Sequence, residues 1–217
     1  MEKRFCNPPT NSDYDHCRFV ILPVPYDATS TWIKGADKGP EAIIEASANM
    51  ELYDIETDSE VYKEGIFTSK PLKVNLSPEK LAKKVEEEVK KSIDQNKFTV
   101  VLGGEHSVSI GTIKAHSNKH KGMSVLQLDA HADLRDEYEG SKFNHACVMA
   151  RAKEICPIVQ VGIRSMDISE RKNMKKDNVF FAEDIQTNKN WIKQVVSKLS
   201  DKVYITIDLD VFDPSIM

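Results

Sequence analysis

Short apolar runs alternate with helix-period segments along almost all of this 217-residue chain, and that alternation narrows the possible folds more than any other feature. Phe19 to Leu22 reads as a strand. Gly39-Pro40-Glu41 then opens a helix, with proline at its first position and an acid in its first turn. Ser77-Pro78 predicts a cap for the clearest helix, in which Leu81, Val85, Val89 and Ile93 recur at four-residue intervals. There follow strand 98–102, a helix from near Ser107, strand 124–128 and a helix around Cys147 to Ile155. Strand 158–163, a polar helical stretch, strand 179–181, helix 190–199 and strand 203–208 complete the pattern. Such succession implies right-handed crossovers and an α/β fold with a mainly parallel sheet covered by helices on both faces. No internal repeat, low-complexity tract or linker interrupts it, so residues 1–217 are read as a single domain.

The bulk numbers exclude several classes. A net charge of −4 gives no basic patch for nucleic acid. The lysines are interleaved with acids, as in Glu86-Glu87-Glu88-Val89-Lys90-Lys91, which reads as a solvated helix face. No segment approaches the ~20 apolar residues of a membrane span, and Met1 to Cys6 lacks the apolar core of a signal peptide. Cys6, Cys17, Cys147 and Cys156 show no CxxC spacing and read as reduced thiols. A cytoplasmic enzyme is expected, with no nucleic-acid or membrane partner.

Chemistry gathers where the apolar runs end. Asp129-Ala130-His131-Ala132-Asp133 follows the run Ser124 to Leu128. If the strand continues, alternate side chains share a face and all three ionisable groups converge. Asp208-Leu209-Asp210 follows the run from Val203, and His106 sits in Gly103-Gly104-Glu105-His106-Ser107 after the run from Phe98. Open α/β sheets build their sites at the carboxyl ends of strands, where all three clusters fall. Taken singly, each Asp is readable as a helix cap and His106 as an ordinary polar residue. Together, carboxylates this crowded require a compensating cation. Four carboxylates and two imidazoles with no thiolate favour a hard-to-borderline ion such as Mn²⁺ over structural Zn²⁺, and four negative charges balance two divalent ions. Two such ions about 3.5–4 Å apart activate a shared water, so the implied chemistry is metal-assisted hydrolysis.

The three clusters, with Asp208-Leu209-Asp210-Val211-Phe212-Asp213-Pro214 taken whole, resemble in order and spacing the signatures of the ureohydrolases, the arginase and agmatinase family. Tyr26-Asp27 and Lys34-Gly35-Ala36 through Gly39-Pro40 resemble the family's N-terminal segment. The resemblance implies a three-layer α/β/α arginase-like fold around an eight-stranded parallel sheet, and two Mn²⁺ ions per chain. Carried over by position, one ion is held by His106, Asp129, Asp133 and Asp208, and the other by His131, Asp129, Asp208 and Asp210. His145, in Phe143-Asn144-His145-Ala146-Cys147, matches a family histidine that shuttles protons near the substrate; its plainer reading is a helix-start residue. The family's members are usually homo-oligomers, and the resemblance implies a trimer or hexamer.

Leu134-Arg135-Asp136-Glu137-Tyr138-Glu139-Gly140-Ser141-Lys142-Phe143 resembles the loop of bacterial and archaeal agmatinases, and its acids suit a cationic amine tail. Cleavage of agmatine to putrescine and urea, a step of polyamine biosynthesis, is therefore expected. Arginase and guanidinobutyrase activities remain alternatives. So do a non-catalytic metal-binding relative and a single-metal zinc deacylase of the histone-deacetylase type. The chain stops at Met217 shortly after Asp213-Pro214, and a parallel strand ending there would need cover. The expectation is a C-terminally incomplete domain with its last strands missing. No position corresponds to the family's substrate-binding glutamate, so metal binding with weak or no turnover, and lower stability than the complete domain, is expected.

Overall fold

The longest helix shows how the sequence writes this fold. In α2 (Pro78–Asp94) Leu81, Val85, Val89 and Ile93 form one buried stripe, each worth about 1.5–3 kcal/mol when fully withdrawn from water. The opposite face is laced by Lys84–Glu88, Lys91–Glu88 and Lys90–Asp94 ion pairs. Ser77 enters in extended geometry, as a residue before proline must, yet its side chain makes no capping hydrogen bond. The cap expected there is therefore absent. Pro78, which has no N–H to satisfy, starts the helix instead.

The structure is a computed structural model that describes residues 3–9 and 13–215. The chain divides into two units, Met1–Val108 and Ser109–Met217. In the first, β1 (Phe19–Val24), β2 (Ile66–Thr68) and β3 (Phe98–Gly103) form a parallel sheet in the order β2-β1-β3. Helix α1 (Gly39–Ser47) lies in the β1–β2 connection and α2 in the β2–β3 connection. Sequence patterning missed β2, whose three residues are too few to show a period. Gly104 allows the chain to leave β3, because a Cβ there would meet the Tyr26 carbonyl oxygen at 2.1 Å.

The second unit takes in α3 (Val108–Lys119) from its second residue onward and has a parallel sheet in the order β6-β5-β4-β7. Its strands are β4 (Ser124–Leu128), β5 (Ile158–Ile163), β6 (Val179–Phe181) and β7 (Val203–Ile207). The crossovers carry α4 (Val148–Lys153), then short 3₁₀ turns, then α5 (Ala182–Thr187) and α6 (Trp191–Val196). The polar helical stretch after β5 is thus two 3₁₀ turns, Ile168–Lys172 and Lys176–Asn178. The helix expected over 190–199 is shorter and preceded by α5. Val159, Val161, Phe180 and Val195 form a core against Leu126, Leu128, Ile185, Trp191 and Leu199. All six residues of β5 are buried, whereas β7, paired only with β4, leaves Ile205 and Ile207 about half exposed. The mainly parallel α/β fold read from the sequence is present, its strands distributed over two sheets among the described residues. No helix among the described residues is long and apolar enough to cross a membrane, and all four cysteines are free thiols.

Candidate metal centre

β4 delivers the central ligands. The strand ends at Leu128, but the extended path persists: Asp129 N–H donates to the Val161 carbonyl at 3.1 Å, and His131 bridges to Ser165 in parallel fashion. Extension fails at Asp133, whose φ of +51° is left-handed. The extended path read from the sequence therefore ends before Asp133, which sits in a turn. The turn has a local cause: the Asp133 carbonyl accepts the Met149 and Ala150 N–H groups at 2.9 and 3.1 Å, satisfying donors at the open start of α4. Aspartate tolerates this conformation better than most residues.

β7 supplies the second cluster. Asp208 N–H donates to the Leu128 carbonyl at 2.9 Å, which sets the two strand ends side by side. The Asp208 carboxylate accepts the Asp210 N–H at 3.2 Å, capping the 3₁₀ turn Leu209–Val211. Asp210 then reaches across: Oδ1 accepts the Ala130 N–H at 3.1 Å, and Oδ2 lies 2.9 Å from His131 Nδ1. Asp129 Oδ1 accepts the His131 N–H at 2.7 Å. As a result, one ligand atom from each of Asp129, His131 and Asp210 lies within 4.8 Å of the other two. Asp129 is 1% exposed, whereas the side chains of His131 and Asp210 are 54% and 41% exposed, so the group opens outward from a buried anchor.

Electrostatics couple the members of the group. The hydrogen bond with Asp210 outweighs burial at His131, and the charges of Asp210, Asp133 and Asp129 add to it, raising the imidazole pKa to about 9. Burial opposes ionisation of Asp210, but hydrogen bonds from His131 and the Ala130 N–H prevail and hold its pKa below the usual carboxylate value. Carboxylates around an imidazole, with oxygen and nitrogen donors only, fit a hard-to-borderline divalent ion.

The supporting side chains were not singled out in the sequence. Gln127, fully buried, donates to Asp129 Oδ2 at 2.8 Å; its signal was an alternating phase shared with Asp129 and His131. Arg164, at the end of β5, donates to the Val211 and Phe212 carbonyls at 3.3 and 3.2 Å and to that of Asp210. Gly162 has φ +92°, and a Cβ there would meet Val211 Cγ2 at 2.8 Å and the Asp129 carbonyl oxygen at 3.1 Å. Buried Glu170 accepts the Leu134 and Asp167 N–H groups at 2.7 and 2.6 Å, while Asn173 Nδ2 donates to the Leu134 carbonyl at 3.0 Å. No periodicity announces these last partners.

The other candidates have clear local settings. His106 belongs to the first unit, follows β3 and is 9% exposed. His145 opens the 3₁₀ turn before α4, which Asn144 caps by accepting the Ala146 N–H at 3.0 Å; its ring lies 6.2 Å from that of Tyr138. In the acidic loop, Asp136 has Arg151 and Lys172 each 4.0 Å away, and the Arg135 guanidinium stacks 4.6 Å from the Tyr138 ring centre. Glu137 and Glu139 are exposed.

With this geometry established, comparison with known proteins is decisive. A sequence model described as "Arginase family" matches residues 17–217. The chain belongs to the arginase family. Within the family it is 35% identical to N(1)-aminopropylagmatine ureohydrolase of Synechocystis sp., over 99% of this chain and 74% of that protein. It is 33% identical to the agmatinase of Pyrococcus horikoshii, over 93% of this chain and 71% of that protein. Among solved structures, the agmatine ureohydrolase of Thermoplasma volcanium matches with a TM-score of 0.89 and 29% identity, covering 99% of this chain and 74% of that one. The arginase-like α/β fold and the assignment to a hydrolytic enzyme follow.

Proposed function

We propose that this arginase-family chain hydrolyses the guanidino group of agmatine, releasing putrescine and urea, with two manganese ions. The observation that carries this reading is the Asp129–His131–Asp210 group, whose ligand atoms lie within 4.8 Å of one another. The full proposed ligand set is the one read from the sequence: His106, Asp129, Asp133 and Asp208 for one ion, and His131, Asp129, Asp208 and Asp210 for the other. When bound, two divalent ions supply Lewis acidity and a water of lowered pKa. Water adds to the guanidino carbon, the bond from that carbon to the nitrogen of the substrate's chain breaks, and urea and an amine leave. His145 carries the proton to the departing amine, a task suited to an imidazole. Exposed Glu137 and Glu139 face a cationic tail with negative charge, while the charge of Asp136 is shared with Arg151 and Lys172. Residues 1–217 are taken as one ureohydrolase domain of a cytoplasmic homo-oligomer.

A second substrate reading has specific support. Relatives from Synechocystis sp. and Thermus thermophilus, 35% and 36% identical, are named N(1)-aminopropylagmatine ureohydrolase. That substrate keeps the guanidino group and lengthens the cationic tail. The test is urea release from agmatine, N(1)-aminopropylagmatine and arginine by the Mn²⁺-loaded chain. Urea from either amine-tailed compound in preference to arginine supports the reading, and their ratio selects between the two. A preference for arginine overturns the amine-tail assignment, and no urea from any of them in protein that holds two ions overturns the hydrolysis.

A further inference from the structure

We propose that two buried glutamines, Gln160 on β5 and Gln127 on β4, form a directed amide relay that holds Asp129 as an aimed ligand before any metal arrives. The proposal rests on the metal-centre reading above and goes beyond it by naming positioning residues outside the ligand set. Gln127 and Gln160 are 0% and 1% exposed. A buried amide survives only if its donors and acceptor are matched, and here the matching has one solution. Gln160 Nε2 lies 2.8 Å from the Ala132 carbonyl oxygen and 2.5 Å from Gln127 Oε1. A carbonyl cannot donate, so the Gln160 NH₂ group must face Ala132. Both of its protons are then committed, and Gln127 must turn its oxygen towards Gln160.

The orientation of Gln127 is thereby fixed. Its NH₂ group points to Asp129 Oδ2 at 2.8 Å and to the His131 carbonyl at 3.1 Å. The second oxygen of Asp129 is held independently by the His131 N–H at 2.7 Å. The relay therefore acts on one carboxylate and on two successive carbonyls, those of His131 and Ala132, and so sets both the ligand and the loop that carries it. Register makes this possible: Gln127 pairs with Gln160 across β4 and β5. The two amides thus meet directly in a buried sheet interior, where an imperfect network would cost more than an apolar one.

The experiment compares Mn²⁺ affinity, by titration calorimetry, of the native chain, Gln127→Met, Gln160→Met and the double variant. Methionine keeps the length and volume and removes the amide. Each single change is expected to weaken Mn²⁺ binding about 10–100-fold, as outer partners of metal ligands do. The double variant is expected to lose clearly less than the sum of the two single losses, because Gln160 reaches Asp129 only through Gln127. Asn178→Ala is the structural control: it removes a buried amide in the 3₁₀ turn before β6, one bonded to the Ile158 carbonyl of β5 at 2.9 Å, and is expected to lower Tm without changing Mn²⁺ affinity. A folded Gln127→Met with native Mn²⁺ affinity, or additive losses in the double variant, overturns the relay alone. A native chain that binds no divalent ion overturns the metal reading and the relay with it. Side-chain amide NMR on the metal-free native chain needs no variant: slow solvent exchange of both glutamine NH₂ groups supports the relay, and fast exchange overturns it.

Discussion

His131 Nδ1 stands 2.9 Å from Oδ2 of Asp210, so the loop leaving β4 and the turn leaving β7 are joined through their own ligand side chains. The same Asp210 carboxylate also accepts the Ala130 N–H. It therefore works on both the backbone and the imidazole, and changing it separates structural from metal-binding roles.

Asp210→Asn keeps an oxygen for the Ala130 N–H but removes the charge facing His131. Asp210 is a proposed ligand of one ion only, so bound Mn²⁺ is expected to fall from two per chain to one, and urea release to fall by roughly 100-fold or more. Metal analysis of the purified variant beside a urea assay checks this. Two ions retained at native affinity would remove Asp210 from the ligand set.

Arg164→Ala frees the carbonyls of residues 210–212 that the guanidinium gathers. Because the side chain is exposed, the expected loss of stability is only about 1 kcal/mol, while Mn²⁺ binding weakens about 10-fold through the loosened turn. Lysine at this position is expected to recover less than half of the affinity, since an ammonium lacks the fork that spans neighbouring acceptors. Denaturant melts paired with calorimetry test both figures.

Gly162→Ala forces a side chain into φ +92° and against Val211 Cγ2 and the Asp129 carbonyl. A stability loss of about 2 kcal/mol or more is expected, accompanied by weaker metal binding because the clash falls on the ligand loops. A variant as stable as the native chain would show that β5 has another way to relieve its register shift between Val161 and Ile163.

His116 sets an acid limit on stability. Burial, aided by the charge of His120, lowers its pKa to about 4 from 6.5. The stacked His120 ring lies 6.0 Å away and the Tyr204 ring 5.8 Å away, with Lys119 and Lys202 acting on His120. Between these two pKa values the unfolded chain binds a proton that the folded chain refuses. Stability is therefore complete above pH 6.5 and drains as pH falls towards 4. After allowance for partial exposure of the ring, the drop is about 1–2 kcal/mol. His116→Gln is expected to flatten that limb in melts at pH 7 and pH 5, and an unchanged slope would rule His116 out as its source.

The legible part of this molecule was the part whose physics is local or periodic. The stripe in α2 and the apolar runs of β4 and β5 announced themselves because burial repeats with the backbone's own period. The acidic and histidine clusters were equally plain, since few arrangements other than a cation site tolerate so many carboxylates at strand ends. What stayed hidden depends on pairing across the sheet. Gln127 and Gln160 make sense only once β4–β5 register is known, and Arg164 only once the turn at 209–211 lies beside it. The turn at Asp133 was hidden for a related reason: its left-handed conformation is set by α4, whose open N–H groups take its carbonyl.

Glu170 and Asn173, from the 3₁₀ turn after β5 and its edge, hold both polar groups of the Leu134 backbone, one residue past the last aspartate of the motif. The shape of that five-residue segment is therefore lodged in a different strand–turn unit from the one that carries it. A graft of Asp129 to Asp133 onto a foreign parallel strand would transfer the ligands but not their bearings. A transplant that included β5 and residues through Asn173 would carry the mould as well as the cast.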